Sequence, residues 1–290
     1  MNGFLPLLKP PGMTSSEAVI AIRRLLPRGT RVGHAGTLDP DAAGVLPLMI
    51  GKATRLFDFV ADSRKEYVAE WIPGLATDTL DIYGKEIARE EATVSDADLS
   101  AALPEFEGDI LQVPPMVSAL KRNGVRLYDL ARNGQTLELP ARPVHIDEIR
   151  ILRREPDGRA WLRVVCGKGT YIRSLCRDIG NALHINACMG ALIRTMAGGF
   201  AIGESCTIEE LPDRIALESR LLPMDRPLCR LARLDIEEEQ EKRVRNGNPV
   251  SVRLPEELCG KPLRLYLKDE FCGVGISDGR EVRFLAMLCA

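Results

Sequence analysis

Residues 33–40 read GHAGTLDP and set one carboxylate, Asp39, downstream of one imidazole, His34, within two glycines and a proline. Gly33 and Gly36 open backbone angles closed to other residues, and Pro40 pushes Asp39 out of the helical region, so the stretch is suited to presenting a side chain. A carboxylate so presented can act as nucleophile or base, and it can equally be the N-cap of a helix that starts at Pro40. The two roles are compatible, because a helix N-terminus helps keep a carboxylate ionised. Three more loops carry polar groups: KPPGMTS near the start, the stretch from EYV to TDTLD with Tyr67, Asp78 and Asp81, and GKGTYIRSL with Lys168, Tyr171 and Arg173. An ionised carboxylate in a partly dry site needs a cation, and Arg suits it because it stays protonated and can bond both oxygens. Arg173 is the candidate, since it opens a helix after a Gly-rich turn; the competing reading is a surface Arg paired with Asp178. Gathering of Asp39, Asp41, Asp78 and Asp81 around a divalent ion is the rival chemistry.

The elements that must hold these loops can be read from periodicity. LPLLKPPGMTSSEAVIAIRRLLP runs from a short strand through a Pro-Gly turn into an amphipathic helix, capped by Thr14 or Ser15, with Ala18, Ile22 and Leu25 or Leu26 on its buried stripe. A second, apolar helix is expected after GHAGTLDP, then a strand at KEYVAEW, a capped helix at VSDADLSAALPEF, and a loop from QVPPM whose own short helix ends near Gly134. RPVHIDEIRILRR and RAWLRVVC are expected strands, GKGTYIRSLCRDIGNAL a Gly turn into a helix, and ALIRTMAGGFAIG a further strand. Strands and helices mix without regular βαβ alternation, which predicts an α+β fold around a largely antiparallel mixed sheet over 1–228, followed by a small β domain over 229–290.

Bulk composition narrows the function. With 290 residues, 45% hydrophobic and 28% charged, the chain has globular composition. The absence of an apolar run of membrane-span length and the short, proline-interrupted apolar start predict a cytoplasmic protein. Eight scattered cysteines with no CxxC pair, and only three histidines, predict reduced thiols rather than disulfides or zinc. The net charge of −2 hides an asymmetry: residues 63–111 hold 12 acids against 4 bases, net −8, and residues 112–180 hold 13 bases against 7 acids, net +6. A basic middle fits a structured polyanion held at one surface, and it fits equally a solvated strand face with interspersed Arg. There is no Walker A or Rossmann glycine pattern.

The set KPPGMTS, GHAGTLDPDAAGVLPL, KEYVAEW with TDTLDIYG, QVPPMVSALKRNGVRLYDLAR and GKGTYIRSLCRDIG, in this order over about residues 5–225, resembles the bacterial tRNA pseudouridine-55 synthase family, the TruB type. The resemblance implies a pseudouridine-synthase-like catalytic domain with a small C-terminal PUA-like RNA-binding domain. It implies isomerisation of uridine 55 in the T loop of tRNA to pseudouridine, by base flipping, with no cofactor and no metal. Asp39 would be the catalytic carboxylate, Arg173 its ion-pair partner, and Tyr67 the ring that stacks on the target base. His34 would help hold the flipped nucleotide and Asp81 would position the base or loop, while Lys9 and Pro10 shape the pocket. Lys168 and Tyr171 fall in the matching GKGTYIR element as substrate-binding residues. Lys121, Arg132 and Arg142, in the basic region, are candidate RNA contacts. The expected partner is the T arm of tRNA, with no guide RNA and no membrane, and the expected state is a monomer. Val117 departs from the pattern, since that position is commonly aromatic in the family.

The residue types suit this chemistry. Breaking an N-glycosidic bond and rejoining uracil through C5 needs neither a redox carrier nor a hydrolytic water, only a carboxylate and a pocket that keeps the base. Asp39 either adds to the sugar C1′ or removes a proton at C2′, and both routes use the same residue.

Overall fold

The apolar run GFLPLLK forms strand β1 (Gly3–Lys9), buried along nearly its whole length. The KPPG turn then leads into helix α1 (Ser15–Arg24). Thr14 caps it: its hydroxyl accepts from the Glu17 amide while the Glu17 carboxylate accepts from the Thr14 amide, a reciprocal capping box. Ala18, Val19 and Ile22 are buried, the 3.6-residue stripe expected of an amphipathic helix. Strand β2 (Val32–His34) carries the chain to the GHAGTLDP loop and on to strand β3 (Ala43–Ile50), which pairs antiparallel with β1 and with β2. The structure, a computed structural model, describes residues 1–118, 121–122, 125–126, 137 and 139–289, with 121–122 and 125–126 given as backbone only.

The helix expected after GHAGTLDP is therefore strand β3. Residues 44–50 are all buried, so the segment has no polar face for an amphipathic helix to turn outward, and Pro47 would break an i to i−4 hydrogen bond. Asp39 consequently does not cap a helix. The short helix α2 (Phe57–Ala61) comes only after this strand.

Packing divides the chain into two compact units: residues 1–40, 44–63 and 197–290 form one, residues 41–43 and 64–196 the other. The second unit is built on an antiparallel sheet. Strand β4 (Lys65–Pro73) is followed by the hairpin β5 (Leu75–Thr77) and β6 (Glu86–Arg89), helix α3 (Asp96–Ala102) capped by Ser95, and strand β7 (Gly108–Gln112). After the two-residue strands β8 (Lys121–Arg122) and β9 (Val125–Arg126) come β10 (Arg142–Arg154), β11 (Ala160–Cys166), helix α4 (Ile172–Ala182) and β12 (Ala187–Ala197). Within the sheet the order is β12-β4-β11-β10-β7. Strict alternation decides its faces: in β11, Ala160, Leu162, Val164 and Cys166 are buried, and Trp161, Arg163 and Val165 are half-buried. Trp71 on β4 is fully buried and donates its indole N–H to the Cys176 carbonyl of α4 at 3.0 Å, fixing helix against sheet. The short helix expected to end near Gly134 lies outside the described residues.

The chain then returns to the first unit through β13 (Phe200–Ala201) and helix α5 (Arg214–Ser219). The expected C-terminal β region is a five-stranded sheet of β14 (Ala232–Asp235), β15 (Val250–Ser251), β16 (Pro262–Leu267), β17 (Glu270–Ser277) and β18 (Glu281–Met287), with the short helix α6 (Glu241–Arg245) before β15. Its order is β14-β16-β17-β18-β15, and only β14 and β16 run parallel. Val274 and Ala286 from this sheet, and Leu288 just after its last strand in sequence, share one buried cluster with Phe4, Met49 and Leu56. No helix among the described residues is long and apolar enough to cross a membrane.

Candidate functional site

The first unit presents Asp39 from a loop anchored on both sides of that residue. Ser15, the first residue of α1 and buried, accepts from the Leu38 amide at 2.9 Å and donates to the Leu38 carbonyl at 3.0 Å. Lys9 is fully buried at the end of β1; its ammonium donates to the carbonyls of Pro10, Met13 and Pro40 at 2.7, 2.6 and 2.9 Å. The Gly12 amide also donates to the Pro40 carbonyl, at 3.0 Å. Of the neighbours of Asp39, Leu38 is thus held from the start of α1 and Pro40 from the KPPG turn. Gly36 sits at φ +109°, a left-handed conformation that a residue with a Cβ enters only with strain. The Asp39 side chain is left half-buried. His34 ends β2, half-buried, with its backbone paired to Leu48. Sequence reasoning assigned Lys9 a shaping role and offered Ser15 as one of two possible caps. The structure splits the pair: Thr14 caps the helix, and Ser15 holds the aspartate loop.

In the second unit α4 starts where the glycine turn GKGT ends, and its first turn grips two loops. Arg173 is 4% exposed, so the surface pairing with Asp178 is not formed; Asp178 instead faces Arg177 at 2.8 Å. Arg173 donates from Nη1 to the Thr79 carbonyl at 3.0 Å and from Nη2 to the Val117 carbonyl at 2.9 Å, with Nε 3.7 Å from Asp81 Oδ2. The Tyr171 amide donates to Gln112 Oε1 at 2.8 Å, and Ser174 Oγ donates to the Val113 carbonyl at 2.8 Å. Arg173 therefore reaches the TDTLD turn with two of its nitrogens and the VPPMVS loop with the third. Val117 contributes a backbone carbonyl, so its departure from the aromatic residue of the family leaves this contact in place. Gln112 was not singled out from the sequence; the signal available was its place directly before VPPM.

The other predicted residues fall as follows. Tyr67 is buried on β4, opposite Val164 on one side and Arg194 on the other. Asp81 is brought to Arg173, while Asp78 is exposed and accepts from the Lys85 amide at 2.8 Å. Lys168 is exposed and Tyr171 half-buried at the N-terminus of α4. Arg142 is exposed at the start of β10. The side chains of Lys121 and Arg132 lie outside the described residues.

Part of the charge asymmetry of the sequence is cancelled within the second unit. Arg163 bridges Glu66 and Glu148, Arg159 bridges Glu70 and Asp157, and Arg154 pairs with Asp96. Three of these pairs, Arg163–Glu66, Arg159–Glu70 and Arg154–Asp96, draw acids from residues 63–111 onto bases from residues 112–180, which supports the solvated-face reading for this part of the basic stretch. Thiol chemistry is disfavoured near α4: burial pushes the Cys166 thiol up to about 11 and raises that of Cys176 as well. Among the described residues no group of three or more His, Cys, Asp or Glu is arranged to hold a metal ion.

Two family models cover most of the chain. One, described as TruB family pseudouridylate synthase (N terminal domain), matches residues 23–172; the other, tRNA pseudouridylate synthase B C-terminal domain, matches residues 173–229. The chain is 42% identical over 280 residues to tRNA pseudouridine synthase B of Alkaliphilus oremlandii (strain OhILAs), spanning 95% of this chain and 93% of that protein. It is 46% identical over 251 residues to the protein of the same name from Moorella thermoacetica (strain ATCC 39073 / JCM 9320), spanning 84% and 82%. Among solved structures it is similar to a chain of a Cbf5-Nop10-Gar1 complex, with a TM-score of 0.72 at 26% identity over 97% of this chain and 82% of that one. A chain of the archaeal box H/ACA sRNP Nop10-Cbf5 complex gives 0.73 at 26% identity over 99% and 86%.

Proposed function

The chain belongs to the TruB family of pseudouridylate synthases, and from that premise we propose that it isomerises uridine 55 in the T loop of tRNA, with Asp39 as the catalytic carboxylate. The observation that carries the reading is the clamp on Leu38 and Pro40, which holds Asp39 without using its carboxylate as a helix cap. A catalytic acid held in advance by its backbone loses little freedom at the transition state. In this reading Asp39 attacks C1′ or takes the C2′ proton, Arg173 supplies the compensating cation, and Tyr67 gives the detached uracil a stacking face. Base–aromatic stacking of this kind contributes about 1 to 3 kcal/mol per base. His34, Asp81, Lys168 and Tyr171 hold the flipped nucleotide, and Lys121, Arg132 and Arg142 contact the RNA around it. Extrusion of the base costs a few kcal/mol, offset by such contacts elsewhere on the T arm. Residues 229–290 serve as a small RNA-binding domain. The protein acts on tRNA alone, without a guide RNA, metal or cofactor, as a cytoplasmic monomer.

The test is incubation of purified protein, in chelator, with an unmodified tRNA transcript tritiated at uridine C5. Tritium release mapped to uridine 55, and lost in Asp39→Asn while tRNA binding persists, is the expected outcome. Binding without release by the wild type would remove the enzymatic reading, and release that survives in Asp39→Asn would remove the role of Asp39.

A further inference from the structure

The hairpin of β5 and β6 leaves large apolar side chains open to solvent, two of them on its turn beside the Arg173 cluster. Tyr83 is 58% exposed, Ile82 41% and Ile87 67%. Singly exposed apolar residues are ordinary, but three on one hairpin spanning residues 75–89 are a local concentration. The turn that carries Ile82 and Tyr83 is tightly held. Asp81 Oδ1 accepts from the Tyr83 amide at 3.1 Å and from the Thr79 hydroxyl at 2.7 Å, while Oδ2 of the same carboxylate faces Arg173 Nε at 3.7 Å. The Ile82 amide donates to the Met189 carbonyl at 2.9 Å, and the Gly84 amide to the Asp81 carbonyl at 3.2 Å. A Cβ at Gly84 would lie 2.1 Å from Thr79 Oγ1, so the turn is closed down to the last atom that fits. One carboxylate thereby fixes the backbone of Tyr83 and meets the buried guanidinium.

We propose that Tyr83 is a substrate-contact residue that stacks on an unpaired nucleobase of the RNA, a neighbour of the nucleotide that is isomerised; this rests on the function proposed above. The charge of the hairpin selects the base over the backbone. From Asp78 to Glu91 it carries Asp78, Asp81, Glu86, Glu90 and Glu91 against Lys85 and Arg89, and Arg89 is bound to Glu86 at 2.7 Å. A phosphate is repelled by such a surface, whereas the face of an uncharged base is not, and every base has a face that a phenol ring can cover. A tyrosine whose backbone is already fixed loses only its two side-chain torsions on stacking.

The experiment compares the wild type with Tyr83→Ala, Tyr83→Phe and Tyr83→Trp, in the full chain, for binding of an unmodified tRNA transcript by fluorescence anisotropy and for tritium release. Tyr83→Ala is expected to weaken binding and kcat/KM roughly 5- to 150-fold. The salt dependence of its Kd and its thermal midpoint should stay at wild-type values, because no phosphate contact and no buried group is lost. Phe and Trp should bind within about twofold of the wild type, since the ring face is kept. Wild-type affinity in Tyr83→Ala would overturn the proposal, as would a loss in Tyr83→Phe equal to that in Tyr83→Ala, or a shallower salt slope in the Ala variant. If the wild type binds but releases no tritium, the function proposed above fails while the contrast between Ala and Phe still decides the stacking.

Discussion

At the scale of single residues, Arg173 shows how much of a cation's role is geometric. Its guanidinium satisfies two backbone carbonyls from separate loops and approaches a carboxylate, an arrangement that a point charge on a flexible stem cannot copy. Arg173→Lys should leave at least one partly buried carbonyl without its donor and cost about 1 to 3 kcal/mol in urea unfolding. Val117→Tyr should cost far less, because the contact made by residue 117 to Arg173 runs through the main chain. Comparing the two unfolding midpoints separates the guanidinium fork from simple crowding of the loop.

At the scale of elements, the start of α1 does two jobs with adjacent residues, and they can be separated by pH. The Thr14 amide, and after it the Thr14 hydroxyl, hold the Glu17 carboxyl below its ordinary value near 4.5. A carboxyl lowered by folding stabilises the protein above its unfolded pKa and stops doing so as pH falls through the folded one. Glu17→Gln should therefore flatten part of the loss of thermal stability between about pH 5 and pH 3, and leave stability at lower pH nearly unchanged. Ser15→Ala should behave differently. It leaves the Leu38 amide and carbonyl without their partner, so it should lower tritium release at every pH by loosening the loop that carries Asp39.

At the scale of the whole molecule, residues 229–290 are not an appendage to the first unit. Val274, Ala286 and Leu288 pack with Phe4, Met49 and Leu56, and Lys52 and Arg55 donate to the carbonyls of Leu288 and Met287 at 2.8 and 2.7 Å. A chain ended at residue 228 should expose that cluster. Loss of a buried Val and a buried Leu alone forfeits about 3 to 6 kcal/mol, so its unfolding midpoint should fall well below that of the full chain. Thiol labelling offers a second check on the fold. Cys229 is exposed and Cys166, Cys176, Cys188, Cys206, Cys272 and Cys289 are buried, so a thiol reagent should modify Cys229 quickly in the native protein and those six only after unfolding.

Local patterns in the sequence are enough for α1 and its cap, for the alternating strands β4, β10 and β11, for the helix after GKGT, and for singling out Asp39 and Arg173 as candidates. Each of these rests on spacing within about ten residues, where periodicity, turn chemistry and capping act. The run after Asp39 was misread as a helix because an apolar stretch buried on every side has no period to distinguish helix from strand, and only its pairing with β1 and β2 decides. The same limit applied to Ser15, Lys9 and Gln112. Their partners lie 23, 31 and 59 residues away in the chain, and hydrogen bonds between distant loops leave no periodic trace in a sequence. The pairing of Arg163 and Arg159 in the basic middle is likewise a tertiary matter, since it is the folding of β4 against β11 that sets Glu66 and Glu70 beside them. Sequence determined which groups could do chemistry; the folded chain decided which of them are held still, because a position is fixed only when groups far apart in sequence close around it.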